Sequence, residues 1–488
     1  MNHDNLPVAV IGAGPIGLAA AARLLARGET PLVLEAGQNP GHSIRQWAHV
    51  PMFSPWEICT DKAAVALLAA SGWQHPPMDA IPTGGELVER YLEPLAGLPA
   101  LRPHIRYGAR VTGVTRKGYD KVRTVGRTDQ PFVLRVAGTD GEEQVFEAKA
   151  VIDASGTWTS PNPAGADGLP APGEGAASDR IFYGIPDVLG GLQQRYAGKT
   201  VMVVGGGHSA INAVIELAML KRDFPATQIV WVMRKSNIDA AYGGESGDAL
   251  PARGALGTQA RELVESGTVR VLSPFRIARI DRAAGGSLSV TGDQDGTERV
   301  FPADEMIVAT GFRPDLSVLR EIRLTLDPWL ESSGTIGPLI DPNLHSCGSV
   351  RPHGARELAH AEPGFFIIGM KSYGRAPTFL LATGHEQARS VAAALTGDME
   401  AAARVELKLP ETGVCVTRPL GARLAVPLVS AQAASCCGGP APAEIDACCA
   451  EDAEAKTAGE AGCAISCELP EIQQPLSEQA AAGACCAP

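Results

Sequence analysis

The strongest constraint on this chain lies near its start, in Val8 to Glu35, VAVIGAGPIGLAAAARLLARGETPLVLE. Val8-Ala9-Val10-Ile11 reads as a short apolar strand, and Gly12-Ala13-Gly14-Pro15-Ile16-Gly17 follows at once. An Ala- and Leu-rich helix then runs to about Ala26. A second strand, Pro31 to Leu34, ends in the acid Glu35. The spacing has a chemical meaning. Gly12 permits the tight turn out of the strand, and Gly14 lets the backbone approach a pyrophosphate. Gly17 lets the helix pack closely on the sheet, and Pro15 sits inside the same loop. The unpaired N–H groups at the helix start would face phosphates, and Glu35 would accept from a ribose hydroxyl. An acid at that strand end favours FAD or NAD over NADP.

A second nucleotide unit follows later. Lys199-Thr200-Val201-Met202-Val203-Val204 reads as a strand and Gly205-Gly206-Gly207-His208-Ser209-Ala210 as its loop, with Ala in the last position. Ile211 to Leu220 reads as the helix and Ile229 to Met233 as the second strand. That strand ends in Arg234-Lys235 instead of an acid. Two cations there suit a ribose 2′-phosphate, hence NADPH, with an exposed loop pair as the alternative. His208 is a candidate nicotinamide-side contact or a loop residue chosen for backbone reasons.

Between and after these units the sequence repeats itself. Ala109 to Val114, Phe132 to Val136 and Gln144 to Ala148 form a strand and hairpin that lead to Ala154-Ser155-Gly156. Phe275 to Ile280, Ser287 to Val290 and Arg299 to Phe301 do the same, turning at Asp295-Gly296 and leading to Ala309-Thr310-Gly311. Asp-Gly turns between alternating strands are strong hairpin signals. The aromatic loop carrying Trp47, Phe53 and Trp56 is either a cofactor cover, with Trp47 as a contact, or a hydrophobic plug. Near the end, a buried strand Gly364 to Gly369 precedes Lys371 and Arg375. Pro377-Thr378 should open a helix running to about Leu395. Lys371, Arg375 and the helix start would then stabilise the negative charge on the pyrimidine edge of a reduced flavin, with Arg375 and Thr378 as cofactor contacts. Solvent exposure is the alternative for both cations.

The 488 residues carry a formal net charge of -12, which argues against nucleic acid as a partner. From Ala431 onward nine acids and one base leave -8, so the body is only mildly acidic. No apolar run reaches membrane-spanning length. The start MNHDNLP has no signal-peptide pattern, so a cytoplasmic protein is expected. Residues 431–488 are Ala, Gly, Pro, Glu and Cys with almost no large apolar side chains. They cannot bury a core and are expected to be disordered. This tail holds the adjacent pairs Cys436-Cys437, Cys448-Cys449 and Cys485-Cys486. Adjacent cysteines bridge poorly, because Cα atoms about 3.8 Å apart fall below the usual disulfide range. Paired soft thiolates suit a thiophilic metal or metalloid, with redox buffering or chance composition as alternatives.

Two such nucleotide units, the second inserted in the first, with Ala-Ser-Gly and Ala-Thr-Gly crossovers, resemble the flavoproteins with two dinucleotide-binding domains. Phe182-Tyr183-Gly184, then Tyr196-x-Gly198-Lys199 and the loop through Ser209-Ala210, are similar to class B flavin monooxygenases. That family carries a His soon after its Phe-x-Gly, where this chain has Ile185-Pro186-Asp187-Val188. The resemblance implies an α/β fold of two Rossmann-like three-layer domains. FAD would lie in residues 1–160 and 303–400 and NADPH in 161–302, followed by a linker at 401–430 and the Cys-rich tail. It implies an NADPH oxidoreductase, monooxygenase-like, with a small-molecule substrate, and a homodimer is compatible with it. The tail is similar to those of bacterial arsenic-resistance proteins, which implies metalloid detoxification. The alternatives are an NADPH-dependent reductase of a thiophilic metal or a non-catalytic metal-binding flavoprotein. Disulfide reductases need two thiols close enough to exchange, and Cys59 has no C-x-x-C or C-x-x-x-x-C partner.

Overall fold

Val8–Ile11 forms a fully buried strand, β1, because an unbroken apolar run is what a parallel strand covered on both faces requires. The computed structural model describes residues 3, 5–139, 141–248, 250–343, 353–377 and 379–407. All of these belong to one compact unit, Met1–Arg418; a further unit, Pro419–Pro488, lies outside them. Beyond β1 the strands of the first half are β2 (Pro31–Leu34), β3 (Ile105–Arg106), β4 (Arg110–Arg116), β5 (Phe132–Ala137), β6 (Glu143–Ala148) and β7 (Ala150–Asp153). Those of the second are β8 (Ile181–Tyr183), β9 (Thr200–Val204), β10 (Gln228–Val232), β11 (Arg270–Leu272), β12 (Arg276–Arg282), β13 (Leu288–Gln294), β14 (Thr297–Ala303) and β15 (Glu305–Val308). The chain then returns as β16 (Phe365–Ile367).

Two parallel five-stranded sheets result, ordered β16-β7-β1-β2-β3 and β11-β10-β9-β15-β8. In each, the strand before the glycine loop is central, with its successor on one side and a crossover strand on the other. Strand order reverses at that point, which opens a crevice at the carboxyl ends where ligands bind in such sheets.

The two faces of each sheet separate by the period of two. Val8 and Val10 pack with the helices, including Leu18 and Leu24 of the helix Pro15–Ala26. Ala9 and Ile11 pack with Phe132, Leu134 and Val136 of the antiparallel sheet β4-β5-β6. In the second sheet Val201 and Val203 face the helix His208–Asp223. Met202 and Val204 face Ile277, Ile280 and Val290 of β12-β13-β14. Both sheets are therefore the middle of three layers, as the fold class expects. Asp295 and Gly296 turn the second hairpin with φ of 53° and 78°.

Two local expectations are corrected. The helix expected to open at Pro377 is Leu381–Leu395, with Leu380 still extended, so it begins beyond Pro377 and not at it. Lys371 is buried at 3% exposure, which removes solvent exposure as the alternative for that cation.

Candidate functional site

Each glycine loop is shaped by the crossover beside it. Gly12 has φ of +100°, and a Cβ there would lie 2.9 Å from the Ala154 carbonyl oxygen. Gly205 has φ of +136°, and its Cβ would lie 2.3 Å from the Ala309 carbonyl oxygen. The same Ala carbonyl, from Ala-Ser-Gly in one half and Ala-Thr-Gly in the other, thus demands glycine at the first loop position. A Cβ on Gly17 would come within 2.0 Å of the Gly12 oxygen, which forces glycine at the close helix–strand approach. In the second half the Ala210 methyl is accommodated, 3.5 Å from the position of a Gly205 Cβ.

The middle glycines are different. A Cβ on Gly14 or Gly207 would meet nothing within 4 Å, so both backbones face open space. Gly14 caps the helix that starts at Pro15, and Gly207 caps the helix that starts at His208. Neither helix has a side-chain cap, so their first N–H groups are left to point outward, the geometry that receives phosphate. The residues fit dinucleotide phosphates at both loops.

Glu35 is 9% exposed and braces the first loop from beneath. Its Oε2 accepts from the Ala13 N–H and its Oε1 from the Gly37 N–H, both at 2.7 Å. Each oxygen keeps a further lone pair for a ribose hydroxyl. At the corresponding strand end of the second half Arg234 is exposed and donates from Nη1 to the Ala166 carbonyl at 2.8 Å. Lys235 is also exposed, and its carbonyl accepts from the Ser273 hydroxyl. Ser209 lies in the first turn of the second helix, half-buried.

The two halves meet through aromatic side chains. Trp158, just beyond the first crossover, lies 4.6 Å from Phe312, just beyond the second, and 6.3 Å from Trp47. Its Nε1 donates to Gln46 Oε1 at 2.9 Å. The crossovers themselves are joined: Asn162 Nδ2 donates to the Thr310 carbonyl, and the Thr310 hydroxyl donates to the Asn162 carbonyl. Phe53 lies 5.5 Å from His208. Burial lowers the His208 pKa, assisted by the Arg253 cation and opposed by Asp248. Trp56, in contrast, is 1% exposed in the first core. The aromatic loop therefore divides, with Trp56 as plug and Trp47 and Phe53 at the junction.

Beneath the first crossover lies a charged pair absent from the sequence reading. Lys371 Nζ donates to Asp153 Oδ2 at 2.7 Å and to the Ser155 hydroxyl at 3.0 Å. Asp153 Oδ1 in turn accepts from the Ser155 N–H and hydroxyl. An acid directly before Ala-Ser-Gly was the available signal. Arg375 is exposed, its guanidinium near Gly168. Thr378 lies outside the described residues, as do Cys436, Cys437, Cys448, Cys449, Cys485 and Cys486. Among the described residues no group of three or more His, Cys, Asp and Glu side chains could hold a metal ion. No helix among them is long and apolar enough to cross a membrane.

Cys59 is fully buried, and its thiol donates to the Ser54 carbonyl at 3.4 Å. Burial pushes its pKa up to about 12, so it is a protonated packing residue rather than an exchanging thiolate.

Residues 9–334 match the model of the pyridine nucleotide-disulphide oxidoreductase family. A ferredoxin–NADP reductase of Lactiplantibacillus plantarum is 25% identical over 319 residues, covering 65% of this chain and 76% of that protein. Among solved structures, a bacillithiol disulfide reductase of Bacillus cereus superposes with a TM-score of 0.60 at 19% identity, over 80% of this chain and 99% of that one. The FAD-bound cadaverine monooxygenase of Erwinia amylovora superposes with a TM-score of 0.57 at 14% identity, over 83% and 98%. The structural likenesses establish the shared fold. The expected cofactors, FAD and NADPH, and the expected class of enzyme agree with the family match, which spans both glycine loops. This chain belongs to the pyridine nucleotide-disulphide oxidoreductase family.

Proposed function

We propose that this protein is an NADPH-dependent flavin monooxygenase that acts on a small molecule in arsenic or related metalloid detoxification. In this reading residues 1–160 and 303–400 hold FAD and residues 161–302 hold NADPH. Gly12, Gly14, Pro15, Gly17 and Glu35 hold the FAD phosphates and ribose, and Trp47 and Arg375 flank its ring end, with Thr378. Gly205, Gly207, His208, Ser209 and Ala210 hold the NADPH pyrophosphate, and Arg234 and Lys235 its 2′-phosphate. Bound there, FAD supplies the two-electron chemistry that links NADPH oxidation to dioxygen, one oxygen atom going to the substrate and the other to water. The side chains position and shield. The Trp47–Trp158–Phe312 cluster packs the two halves together at the junction.

The observation that carries the reading is Cys59. A family member working by thiol exchange needs two reactive sulfurs, and the one described cysteine is buried, hydrogen-bonded and protonated. Turnover under heavy-isotope dioxygen tests it, with a trivalent arsenical as candidate substrate. One labelled oxygen per product supports oxygenation, while full recovery of the oxygen as peroxide or water argues for a reductase. That second reading is favoured by the names of the ferredoxin–NADP reductase relatives.

The cysteine pairs from Cys436 to Cys486 supply the metalloid part of the reading. Thiols tethered to the catalytic body in this way would raise the local concentration of a trivalent metalloid, up to about millimolar for a short linker and less for a long one. Changing all six to Ser in the full chain should raise KM for the metalloid and leave kcat nearly unchanged. Equal stoichiometry of trivalent arsenic binding in both proteins would remove the capture role.

A further inference from the structure

The loop that carries Phe53 belongs to the first half of the molecule, yet its ring lies against the second glycine loop. Its backbone is braced on both sides. Met52 N–H donates to the Pro82 carbonyl at 2.8 Å, Gly84 N–H to Val50 at 3.0 Å and Trp56 N–H to Ala80 at 3.0 Å. Buried Cys59 ties the Ser54 carbonyl. With its flanks fixed in this way, Phe53 projects half-buried from a stiff support.

His208 is the first residue of the helix that Gly207 caps. Gly206 and Gly207 are exposed, and neither would place a Cβ against the first half. The phosphate-facing backbone is therefore open, while the space over the neighbouring imidazole is filled. The two rings lie 5.5 Å apart with planes tilted by 42°, within the range of a favourable aromatic pair.

We propose that Phe53 is a plug on the second dinucleotide site, contributed across the junction, and that dinucleotide binding must first separate it from His208. This rests on the assignment of NADPH to the second loop. A dinucleotide whose phosphates sit on Gly205–Gly207 extends past the first residue of the helix, and that surface is the one Phe53 covers. The stiff loop leaves two ways to clear it: a rotation of the Phe53 side chain, or a swing of the second half about its crossovers. Gly156 and Gly311, at the two crossovers, have φ of +71° and +89°. In either case the closed pair lowers the fraction of protein competent to bind, and apparent affinity falls by that fraction. The same plug keeps water and unwanted ligands off the junction when the second site is empty.

Calorimetric titration of the flavin-loaded full chain with NADP+ tests this. Phe53→Ala should bind NADP+ about two- to tenfold more tightly than the unaltered protein, the range set by the worth of one aromatic pair. Phe53→Tyr keeps the ring and should bind as the unaltered protein does. Phe53→Leu keeps apolar volume without the ring and should tighten binding in the same direction, which covers the case of an unfolded alanine variant. Unchanged or weaker binding in the ring-less variants overturns the proposal. Gly207→Val separates the two claims. Loss of NADP+ binding there, with Phe53→Ala unchanged, defeats the plug alone. Equal binding by Gly207→Val and the unaltered protein removes the assignment of the second loop, and the plug with it.

Discussion

Lys371 and Asp153 form an ion pair of 2.7 Å with side-chain exposures of 2% and 0%. The pair reaches across from the segment after β16 to the last residue of β7. Through Ser155 it holds the crossover whose Ala154 carbonyl fits against Gly12. Removing one partner leaves a buried charge without compensation. Lys371→Met should therefore cost about 3–5 kcal/mol of stability, read by urea unfolding. The double variant Lys371→Met, Asp153→Leu should recover much of that loss, since it removes the stranded charge. A single variant as stable as the parent would mean the pair contributes nothing to the crossover.

The glycines of the first loop divide into two kinds of variant. Gly17→Ala drives a methyl to within 2.0 Å of the Gly12 oxygen, so it should lower the melting temperature and the flavin content together. Gly14→Val adds its side chain to open space. It should leave folding nearly intact and lose flavin, because the pyrophosphate and the new side chain compete for one volume. Flavin absorbance per protein beside a thermal melt distinguishes them. A Gly14→Val protein that retains full flavin contradicts the phosphate assignment.

His385, on the helix Leu381–Leu395, is buried, and its Nε2 has no hydrogen-bond partner among the described residues. Burial pulls its pKa from 6.5 down to about 4, with the nearby Asp61 carboxylate opposing and the Arg23 cation adding to the shift. The folded protein thus binds the proton less readily than the unfolded chain. Its contribution is complete above pH 6.5 and is lost as the pH falls toward 4, amounting to about 3 kcal/mol across that window. His385→Leu should flatten the acid limb of stability against pH by that amount. An identical limb in the variant would contradict the burial argument.

Cys59 makes the opposite case. Its pKa is raised from 9.0 to about 12, so the folded state retains the proton that the unfolded chain releases above pH 9. That stability is present below pH 9 and is lost between 9 and 12. At pH 8 the folded protein should resist alkylation at Cys59, and unfolding should expose it. Cys59→Ser should oxidise NADPH at nearly the parent rate. Near-total loss of that activity would restore a thiol mechanism.

Much of this was legible in the sequence, and the reasons are local. The turn at Gly12, the close approach at Gly17 and the hairpin at Asp295-Gly296 each depend on neighbours a few residues away. The alternation of Val8 and Val10 with Ala9 and Ile11 follows from the pleat alone. What escaped notice depended on distant contacts. Lys371 read as a flavin-edge or exposed cation because its partner Asp153 is 218 residues away. Trp158, Phe312 and Gln46 carry no motif and matter only because the crossovers bring them together. The helix Leu381–Leu395 likewise makes a distant contact: Gly384 sits against Ile16 of the first loop. One side of the first loop is thus packed by a helix more than three hundred residues downstream.

The central claim is that NADPH, held by the second loop and its cations, reduces flavin held by the first. Anaerobic rapid mixing of the flavin-loaded protein with NADPH or NADH, following the loss of flavin colour, tests it most directly. Arg234 now spends one donor on the Ala166 carbonyl and is otherwise exposed, so it is available to a 2′-phosphate. Bleaching should be faster with NADPH, and Arg234→Glu should narrow or reverse the preference by about 1.5–3 kcal/mol, the worth of a charge-assisted contact. Faster bleaching by NADH in the unaltered protein, or none with either nucleotide, would contradict the account.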